Sequence, residues 1–473
     1  MYSNFKLNLK SNYLIVLLLV LLGNSFFVNA QVRVPFTQRT SVYTPQKTIY
    51  NVKGDFTMIG NSNLTLVDYA DDGSNANNMR YIDMDGDPAT WNSSSSTLSL
   101  STENGANPEC SNIVYAGLYW TGRASDASPS PTVFTVNRTE QTGTQPINQN
   151  STIGDDGSIA NTSYSLNITR QGNTNARFVR YTFSGDGATV DFEFQNSTPH
   201  IRYRTNGGAW TNATNQSVSN SGNNRTVTFD AVTVTTENGV TLTVNSLTRD
   251  SRQNLSTADY EDSSFAAVNV SGSIPVFGTV SKTFDKRKVS IKGPSSAAYT
   301  TLTAQDDDIY YPDSSDGFMY SAYIEVTDYV RANGLGAYQV ADIALVEGNG
   351  GGTGYYGGWG MVIVYENDKM KWRDVTIFDG HSYVAGSVTA DFEIPVSGFN
   401  TAQSGAINMK LGMMAGEGDR GISGDYFQIR NYLDTSWVTL NHGGNSTNNF
   451  FNSSIFCFHS GELNFFSSSF IGN

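Results

Sequence analysis

Three carboxylates at two-residue spacing form the sharpest chemical signal in the chain. They are Asp83, Asp85 and Asp87, in the segment 83–88 of sequence DMDGDP. Residues two apart in an extended segment point to the same side, and Gly86 lets the backbone fold so that the three side chains converge. Ca²⁺ prefers about six to eight oxygen ligands at such a point. The segment therefore predicts a calcium site.

The same residues have a simpler interpretation as a solvated acidic turn. The glycine stands in the fourth place of the motif instead of the sixth, and Ser94 occupies the place of the bidentate glutamate, so this is not an EF-hand. Aspartate and glycine are also ordinary β-turn residues. Both interpretations stay open. Further calcium candidates are Asp71 and Asp72 upstream and the acidic loop Asp306, Asp307 and Asp308.

A glycine-rich segment at 348–358 and the residue just after it supply a second candidate site. Tyr355, Tyr356 and Trp359 stand among these glycines. Aromatic faces stack on sugar rings in many carbohydrate-binding sandwiches, so the three residues are candidate ligand contacts. The alternative is that the rings pack over the sheet, where glycine lets the backbone come close. Packing is the stronger interpretation, because exposed aromatic patches are uncommon without a binding role.

Signatures of catalysis are sparse. The four histidines lie far apart and form no HExxH array, and Ser423 lacks the spacing of a nucleophile elbow. The glycines at 348–358 do not lead from a strand into a helix with phosphate-binding spacing. We expect no enzymatic activity and name no catalytic residue. The acids available for glycoside hydrolysis, none of them singled out by the sequence, include Asp391, Glu393, Glu417 and Asp419.

Short apolar runs between turn residues predict strands throughout and almost no helix. Residues 361–365, MVIVY, form an unbroken apolar run that is typical of a strand covered on both faces. A turn at 366–368 and a second strand at 372–378 predict a central hairpin. The best helical candidate is 323–332. Further strands are predicted at 56–59, 64–67, 79–82, 97–100 and 113–120.

The segment 113–120, IVYAGLYW, predicts a central strand with two covered faces. We expect it to pair near the strand at 359–365. Strict alternation gives each of its apolar side chains a face. One face holds Val114, Ala116, Leu118 and Trp120, and the other holds Ile113, Tyr115 and Tyr119.

The segment 231–244, AVTVTTENGVTLTV, predicts a β-hairpin whose register can be derived. A two-residue Asn-Gly loop would place the valines of the two arms on opposite faces. A three-residue loop at 237–239 lets the apolar side chains share one face, so we predict that loop, with Gly239 in the left-handed conformation. The resulting pairs are Val234 with Leu242 and Val232 with Val244.

Residues 1–30 have the pattern of a secretory signal peptide. Lys6 and Lys10 form its positive region, an apolar core spans 13–23, and Ala30 is the small residue of a cleavage site. The apolar core is too short to span a membrane, and no later stretch reaches that length. Removing 1–30 removes two lysines and no acid, so the net charge changes from −14 to −16. This acidity argues against nucleic-acid binding.

Composition divides the remaining chain into a main domain and an insertion. Residues 31–124 and 284–456 are predicted to form a discontinuous antiparallel β-sandwich, jelly-roll-like and all-β, and residues 125–283 a smaller inserted β-sandwich. The tail 457–473 has no clear alternation and is either truncated or out of frame, or else a final edge strand. Cys110 and Cys457 are the only cysteines, so one disulfide or two free thiols are both open.

Several long segments resemble the N-terminal region of a family of very large exported proteins. They are IVYAGLYWTGR at 113–123, KRKVSIKGP at 286–294, YSAYIEVTDYV at 320–330, VADIALVEGNGGGTGYYGGWGMVIVYEN at 340–367, WRDVTIFDGHSYV at 372–384 and MKLGMMAGEGDRGISGDYFQI at 409–429. The family is the repeat-containing surface and adhesin-like proteins of flavobacteria that the type IX secretion system exports. The resemblance covers most of 51–124 and 284–456 and leaves out 125–283. The family also has downstream repeats and a sorting domain, and we expect this chain to depart from the family in lacking them.

The resemblance implies secretion or display on the cell surface, with adhesive or gliding-associated roles, and supplies no catalytic residues. We therefore expect an exported adhesion or binding module whose partner is a surface glycan or protein, with calcium-stiffened loops as a subsidiary hypothesis. No nucleic-acid partner and no transmembrane segment are expected. One alternative is a carbohydrate-binding or polysaccharide-acting enzyme module. Another is a structural stalk or cap with no ligand.

Overall fold

The regular secondary structure of the described residues is nearly all β in the computed structural model, with 54% strand and 6% helix. Its residues form two compact units, one made of Met1–Val136 and Lys282–Asn473 and the other of Asn137–Ser281. The sequence placed the boundaries of the insertion at 125 and 283. The structure describes residues 32–124, 131–159, 164–171, 178–185, 187–235, 239–252, 255–310, 318–384, 392–400, 409–430, 435–441, 443–454 and 465–466.

The first unit is an antiparallel sandwich of a six-stranded and a four-stranded sheet. With strands numbered in chain order, the larger sheet runs β20 (Ile309–Tyr310), β21 (Met319–Glu325), β6 (Asn112–Arg123), β23 (Gly357–Glu366), β2 (Ile49–Ser62) and β24 (Trp372–Thr376). The smaller runs β19 (Thr300–Thr303), β18 (Lys288–Lys292), β22 (Gly336–Ala341) and β5 (Ser93–Leu98). Two-stranded pairs are β1 (Val32–Gln38) with β25 (Phe378–Ser382), β3 (Leu64–Leu66) with β4 (Met79–Tyr81), β26 (Leu411–Gly412) with β29 (Phe465–Phe466), and β27 (Gln428–Arg430) with β28 (Trp437–Thr439).

Two indoles lie at the centre of this sandwich. Trp120 on β6 stands directly opposite Trp359 on β23, as expected for the strand at 113–120, and both are fully buried. The Trp359 indole N–H donates to the Ser94 hydroxyl on β5 at 2.9 Å, which ties the two sheets together. Ser94 in turn donates to Asn63 at 2.6 Å, and Asn63 donates to Asn92 at 2.9 Å. These buried polar groups therefore satisfy one another inside the core.

The second unit is also a sandwich, with a six-stranded and a five-stranded sheet. The first runs β13 (Thr211–Asn212), β12 (Ile201–Thr205), β11 (Ala188–Gln195), β10 (Phe178–Gly185), β9 (Ser165–Gln171) and β8 (Gly157–Ser158). The second runs β14 (Ser217–Ser221), β15 (Asn224–Thr235), β16 (Thr241–Asp250), β17 (Phe265–Asp285) and β7 (Val133–Gly154). Phe192 of one sheet packs on Phe229 of the other with ring centroids 5.8 Å apart, so the two inner faces share a core.

The described part of the chain contains two short α-helices. Helix α1 spans Thr257–Asp262 and α2 spans Thr327–Asn333. The helix predicted at 323–332 is wrong in its first half, because Tyr323 pairs with Tyr119 inside the six-stranded sheet. Neither helix has the length and hydrophobicity that a bilayer-spanning helix requires.

The predicted hairpin between the strands at 361–365 and 372–378 is wrong. Strands β23 and β24 both pair antiparallel with β2, where Glu366 lies opposite Gly54 and Trp372 lies opposite Lys53. The two strands therefore run in the same direction, and the chain does not reverse at 366–368. The reason is the length of β2, whose 14 residues accommodate both partners in succession.

The register predicted for the hairpin at 231–244 is confirmed. Val234 lies opposite Leu242, Val232 lies opposite Val244, and Gly239 has a φ of 79°. Residues 237 and 238 of the predicted loop lie outside the described residues. Turn geometry and the shared apolar face specify the same pairing here, which is why the register could be derived.

Replacing Gly239 with alanine is expected to lower the free energy of unfolding by about 1 kcal/mol. A Cβ at this position meets no atom within 4 Å, so the cost comes only from the left-handed backbone conformation. Denaturant unfolding measures the difference. Gly239→Asn serves as the control, since asparagine tolerates this conformation better than alanine. Equal losses for the two variants would contradict the explanation.

Candidate ligand-binding cleft

The glycine-rich segment buries two of its three candidate aromatics. Trp359 is fully buried and bonded to Ser94, and Tyr356 is buried with its hydroxyl 3.3 Å from that of Thr121. Tyr355 is exposed in part and lies 5.1 Å from the Arg123 guanidinium. The rings of Trp359 and Tyr356 thus pack in the core and present no open face to a sugar.

Close approach of neighbouring atoms explains three of the glycines in this segment, Gly350, Gly354 and Gly357. A Cβ on Gly357 would lie 2.1 Å from Leu345 Cδ2, and one on Gly354, whose φ is +71°, would lie 2.3 Å from the Asn75 carbonyl oxygen. Any larger residue would displace these neighbours. The segment is therefore built for packing.

The loop at 83–88 is held by hydrogen bonds from its own neighbourhood. Burial raises the pKa of Asp83. Burial also acts to raise the pKa of Asp85, but hydrogen bonds, the first of them from Tyr299, outweigh it and lower that pKa. Asp83 accepts hydrogen bonds from the Ser93 hydroxyl and the Gly86 N–H. Asp85 accepts from the Asp87 N–H and from the hydroxyls of Thr90 and Tyr299. Asp87 accepts from the Ala89 N–H. Several of these are bonds of ordinary turns, so the geometry favours the acidic-turn interpretation.

The other calcium candidates are dispersed. Asp308 pairs with Arg39 at 2.7 Å, whereas Asp306 is 92% exposed and 3.6 Å from Arg287. Asp71 pairs with Arg420. Asp72 and Asp307 stand beside these residues in the sequence. Across the described residues, no three acidic, histidine or cysteine side chains are arranged to hold a metal ion.

A broad cleft lies on the outer face of the six-stranded sheet, between that face and the segment 409–430. Its volume is 3120 Å³, whereas small-molecule pockets hold about 300–1,000 Å³, so the cleft suits an extended ligand. Four of the large aromatics that line it are each more than a third exposed. They are Trp372 (64% exposed), Phe399 (45%), Trp437 (43%) and Tyr426 (37%).

One part of the cleft floor is a network of ion pairs. Arg39 bridges Asp379 at 2.6 Å and Asp308 at 2.7 Å, and its guanidinium lies 4.1 Å from the centre of the Tyr323 ring. Tyr119 donates to Asp379 at 2.9 Å. Burial raises the pKa of Asp308, against the effect of Arg39. One guanidinium pairs with two carboxylates, so the network keeps a net negative charge and forms a polar part of the cleft floor.

Glu417 is a partly buried acid of the cleft with an unusual backbone conformation. It has a φ of 68°, which is rare for a residue other than glycine, and no hydrogen-bond partner among the described residues. Burial, reinforced by Asp419 and Asp425, raises its pKa to about 7. A strained carboxyl that changes protonation near neutral pH is typical of functional sites.

Sequence reasoning found only part of this cleft. Glu417 and Asp419 were candidate acids, and Tyr356, although buried, is among the residues that line the cleft. Asp391 lies outside the described residues, and Glu393 lines the cleft. Trp372 and Trp437 were missed, because a tryptophan in a strand does not show from its sequence whether its face is covered. Their polar surroundings, KMKWRD and DTSWVT, were the available signal.

Comparison with protein-family models finds no match to this chain, and comparison with curated proteins finds no significant relative.

Proposed function

We propose that this protein is an exported cell-surface binding module that holds a neutral glycan in the aromatic cleft. The single observation that carries the proposal is the set of four partly exposed aromatic rings in one open cleft. Such rings offer flat apolar faces for sugar rings, and their exposure without a ligand is otherwise unfavourable. The signal-peptide pattern and the resemblance to surface proteins support export.

The charge of the cleft favours a neutral ligand over an acidic one. Ten of its lining residues are acidic and five are lysine or arginine. Four of the basic residues, Arg39, Lys371, Arg373 and Lys410, are already paired with acids. A polyanion would therefore meet repulsion along the cleft, whereas hydroxyl groups can donate to the carboxylates.

Removing the two exposed indoles tests this function. We expect the exported full chain to bind at least one of cellulose, chitin and mannan. The double variant Trp372→Ala, Trp437→Ala should bind at least about tenfold more weakly, because aromatic contacts often contribute about 2 kcal/mol or more. Pull-down isotherms measure the affinity. Tyr69→Ala is the matched control, because Tyr69 is 50% exposed and does not line the cleft.

Two outcomes would contradict the proposal. One is that the wild-type chain binds none of the three polysaccharides, which would favour a structural stalk or cap. The other is that Tyr69→Ala weakens binding as much as the double variant. Thermal melting of each variant separates lost contacts from lost folding.

Glu417 favours a second candidate function, a polysaccharide-acting enzyme. A carboxyl with a pKa near 7 can serve as a general acid that protonates a glycosidic oxygen. Release of reducing ends from a bound polysaccharide, abolished by Glu417→Gln, would establish this alternative. Binding without release leaves the adhesion module as the function.

A further inference from the structure

The second unit carries a layered charged patch on the outer face of its six-stranded sheet. Two rows of residues lie in register across β10, β11 and β12, one being Arg180, Glu193 and Arg202, and the other Thr182, Asp191 and Arg204. Side chains that alternate with these rows fill the core on the opposite face. The charged residues therefore share the outer face.

The carboxylates form the lower layer of this patch. Glu193 is 1% exposed and accepts from Arg180 at 2.5 Å and from Arg202 on its other side. Asp191 accepts from Arg204 at 2.7 Å and from Thr182 at 2.7 Å. Both acids are thus paired with donors from the sheet itself.

The guanidinium groups form the middle layer, and one indole covers them. Trp210 lies 4.7 Å from the Arg204 guanidinium, 4.8 Å from that of Arg202 and 5.6 Å from that of Arg180. Asn206 and Gly207, both with positive φ, turn the chain just before Trp210, and β13 follows it directly. Stacking on an indole leaves the guanidinium edges free to bind in their own plane.

Most of the N–H donors in this patch remain available. Each guanidinium has five N–H groups. Towards the described residues, Arg204 donates through Nε, Arg180 through one terminal nitrogen, and Arg202 through Nε and one terminal nitrogen. The Nε of Arg180 is buried, so it is not counted among the available donors. The three side chains are still 28–35% exposed. Three positive charges over two negative ones leave a local excess of one, in a chain whose net charge is −14.

We propose that this patch binds an oxyanion, a carboxylate or sulfate ester, carried on an acidic polysaccharide. The planar guanidinium fork matches both groups in a bidentate manner, and Trp210 provides an apolar face for the attached sugar ring. All nine basic residues between 137 and 281 are arginine and none is lysine, as suits recognition by planar forks. The proposal concerns a different unit from the aromatic cleft and does not depend on the function proposed for it.

Binding of the full chain to three polymers tests the proposal. We expect the chain to bind dextran sulfate or polygalacturonate at low salt and not to bind unmodified dextran. Dextran sulfate carries sulfate esters and polygalacturonate carries carboxylates, so the comparison shows which group the patch binds. Arg204→Gln and Trp210→Ala should each weaken binding at least about tenfold. Arg204→Lys keeps the charge and the pairing with Asp191 but loses the fork, and should weaken binding by about threefold.

Arg225→Gln is the matched control, since Arg225 lies on β15 in the other sheet. Two results would overturn the proposal. One is that neither charged polymer binds. The other is that Arg225→Gln and Arg204→Gln lose affinity equally, which would indicate general charge attraction. Thermal melting identifies any variant that fails to fold. In that case the affinity of the Arg204→Lys variant for the charged polymers tests the proposal.

Discussion

Replacing Trp359 with alanine is expected to lower the free energy of unfolding by about 3–5 kcal/mol. The side chain is fully buried opposite Trp120, so its removal leaves a large cavity between the two sheets of the first unit. The loss also takes a hydrogen bond from the buried Ser94 hydroxyl, which still donates to Asn63. Denaturant unfolding followed by circular dichroism measures the change.

The variant Trp359→Phe separates the two contributions. It keeps most of the packing and loses the indole N–H, so it should cost about half as much or less. Adding Ser94→Ala to each background completes a double-mutant cycle, and a coupling of about 1 kcal/mol is expected between the indole and the hydroxyl. A loss below 1 kcal/mol for Trp359→Ala would show that this indole pair does not organise the core.

Raising the pH from 8 to 9.5 is expected to increase the stability of the wild type relative to Lys286→Met by about 1.5 kcal/mol. Lys286 is fully buried, and burial lowers its pKa from 10.5 to about 8. Above pH 8 the folded protein has released this proton, whereas the unfolded chain retains it up to about pH 10.5. The unfolded state binds more protons in this window, so stability rises with pH.

Lys286→Met is the matched control because it keeps the length and apolar stem of the side chain. Buried tyrosines titrate above this range in the wild type and the variant alike, so their contribution cancels in the difference. Unfolding free energies at pH 7, 8, 9 and 9.5 give the two curves. Parallel curves would mean that the folded Lys286 amine titrates like an exposed one.

Rules that use only neighbouring residues were sufficient to predict strand pairing wherever a single pairing satisfied both the turn geometry and the placement of apolar side chains on one face. The hairpin at 231–244 is the clearest case, because only one loop length puts its valines on one face and gives Gly239 a left-handed conformation. The strand at 113–120 was also recognised by its unbroken apolar run, and its pairing with the strand at 359–365 is confirmed. Such features depend on neighbours close in sequence.

Sequence reasoning failed where a distant strand changed the geometry. The register between β6 and β23 shifts at Val364 and Tyr365, and Tyr365 lies opposite Ile113. This bulge puts Ile113 on the face of Ala116 and not on that of Tyr115, contrary to strict alternation. The aromatic cleft was missed for a similar reason. Trp372 and Trp437 lie more than 50 residues apart in the sequence, and the sequence around each one does not show that both line the same cleft.

The distribution of tryptophans has a spectroscopic consequence. Of the six tryptophans, only Trp210 lies between 137 and 281, where its indole contacts three guanidinium groups. The other five belong to the first unit, and Trp120 and Trp359 are fully buried there. The difference in fluorescence between the wild type and Trp210→Phe therefore reports on the second unit alone. One titration with denaturant would then reveal whether the two units unfold together or one after the other.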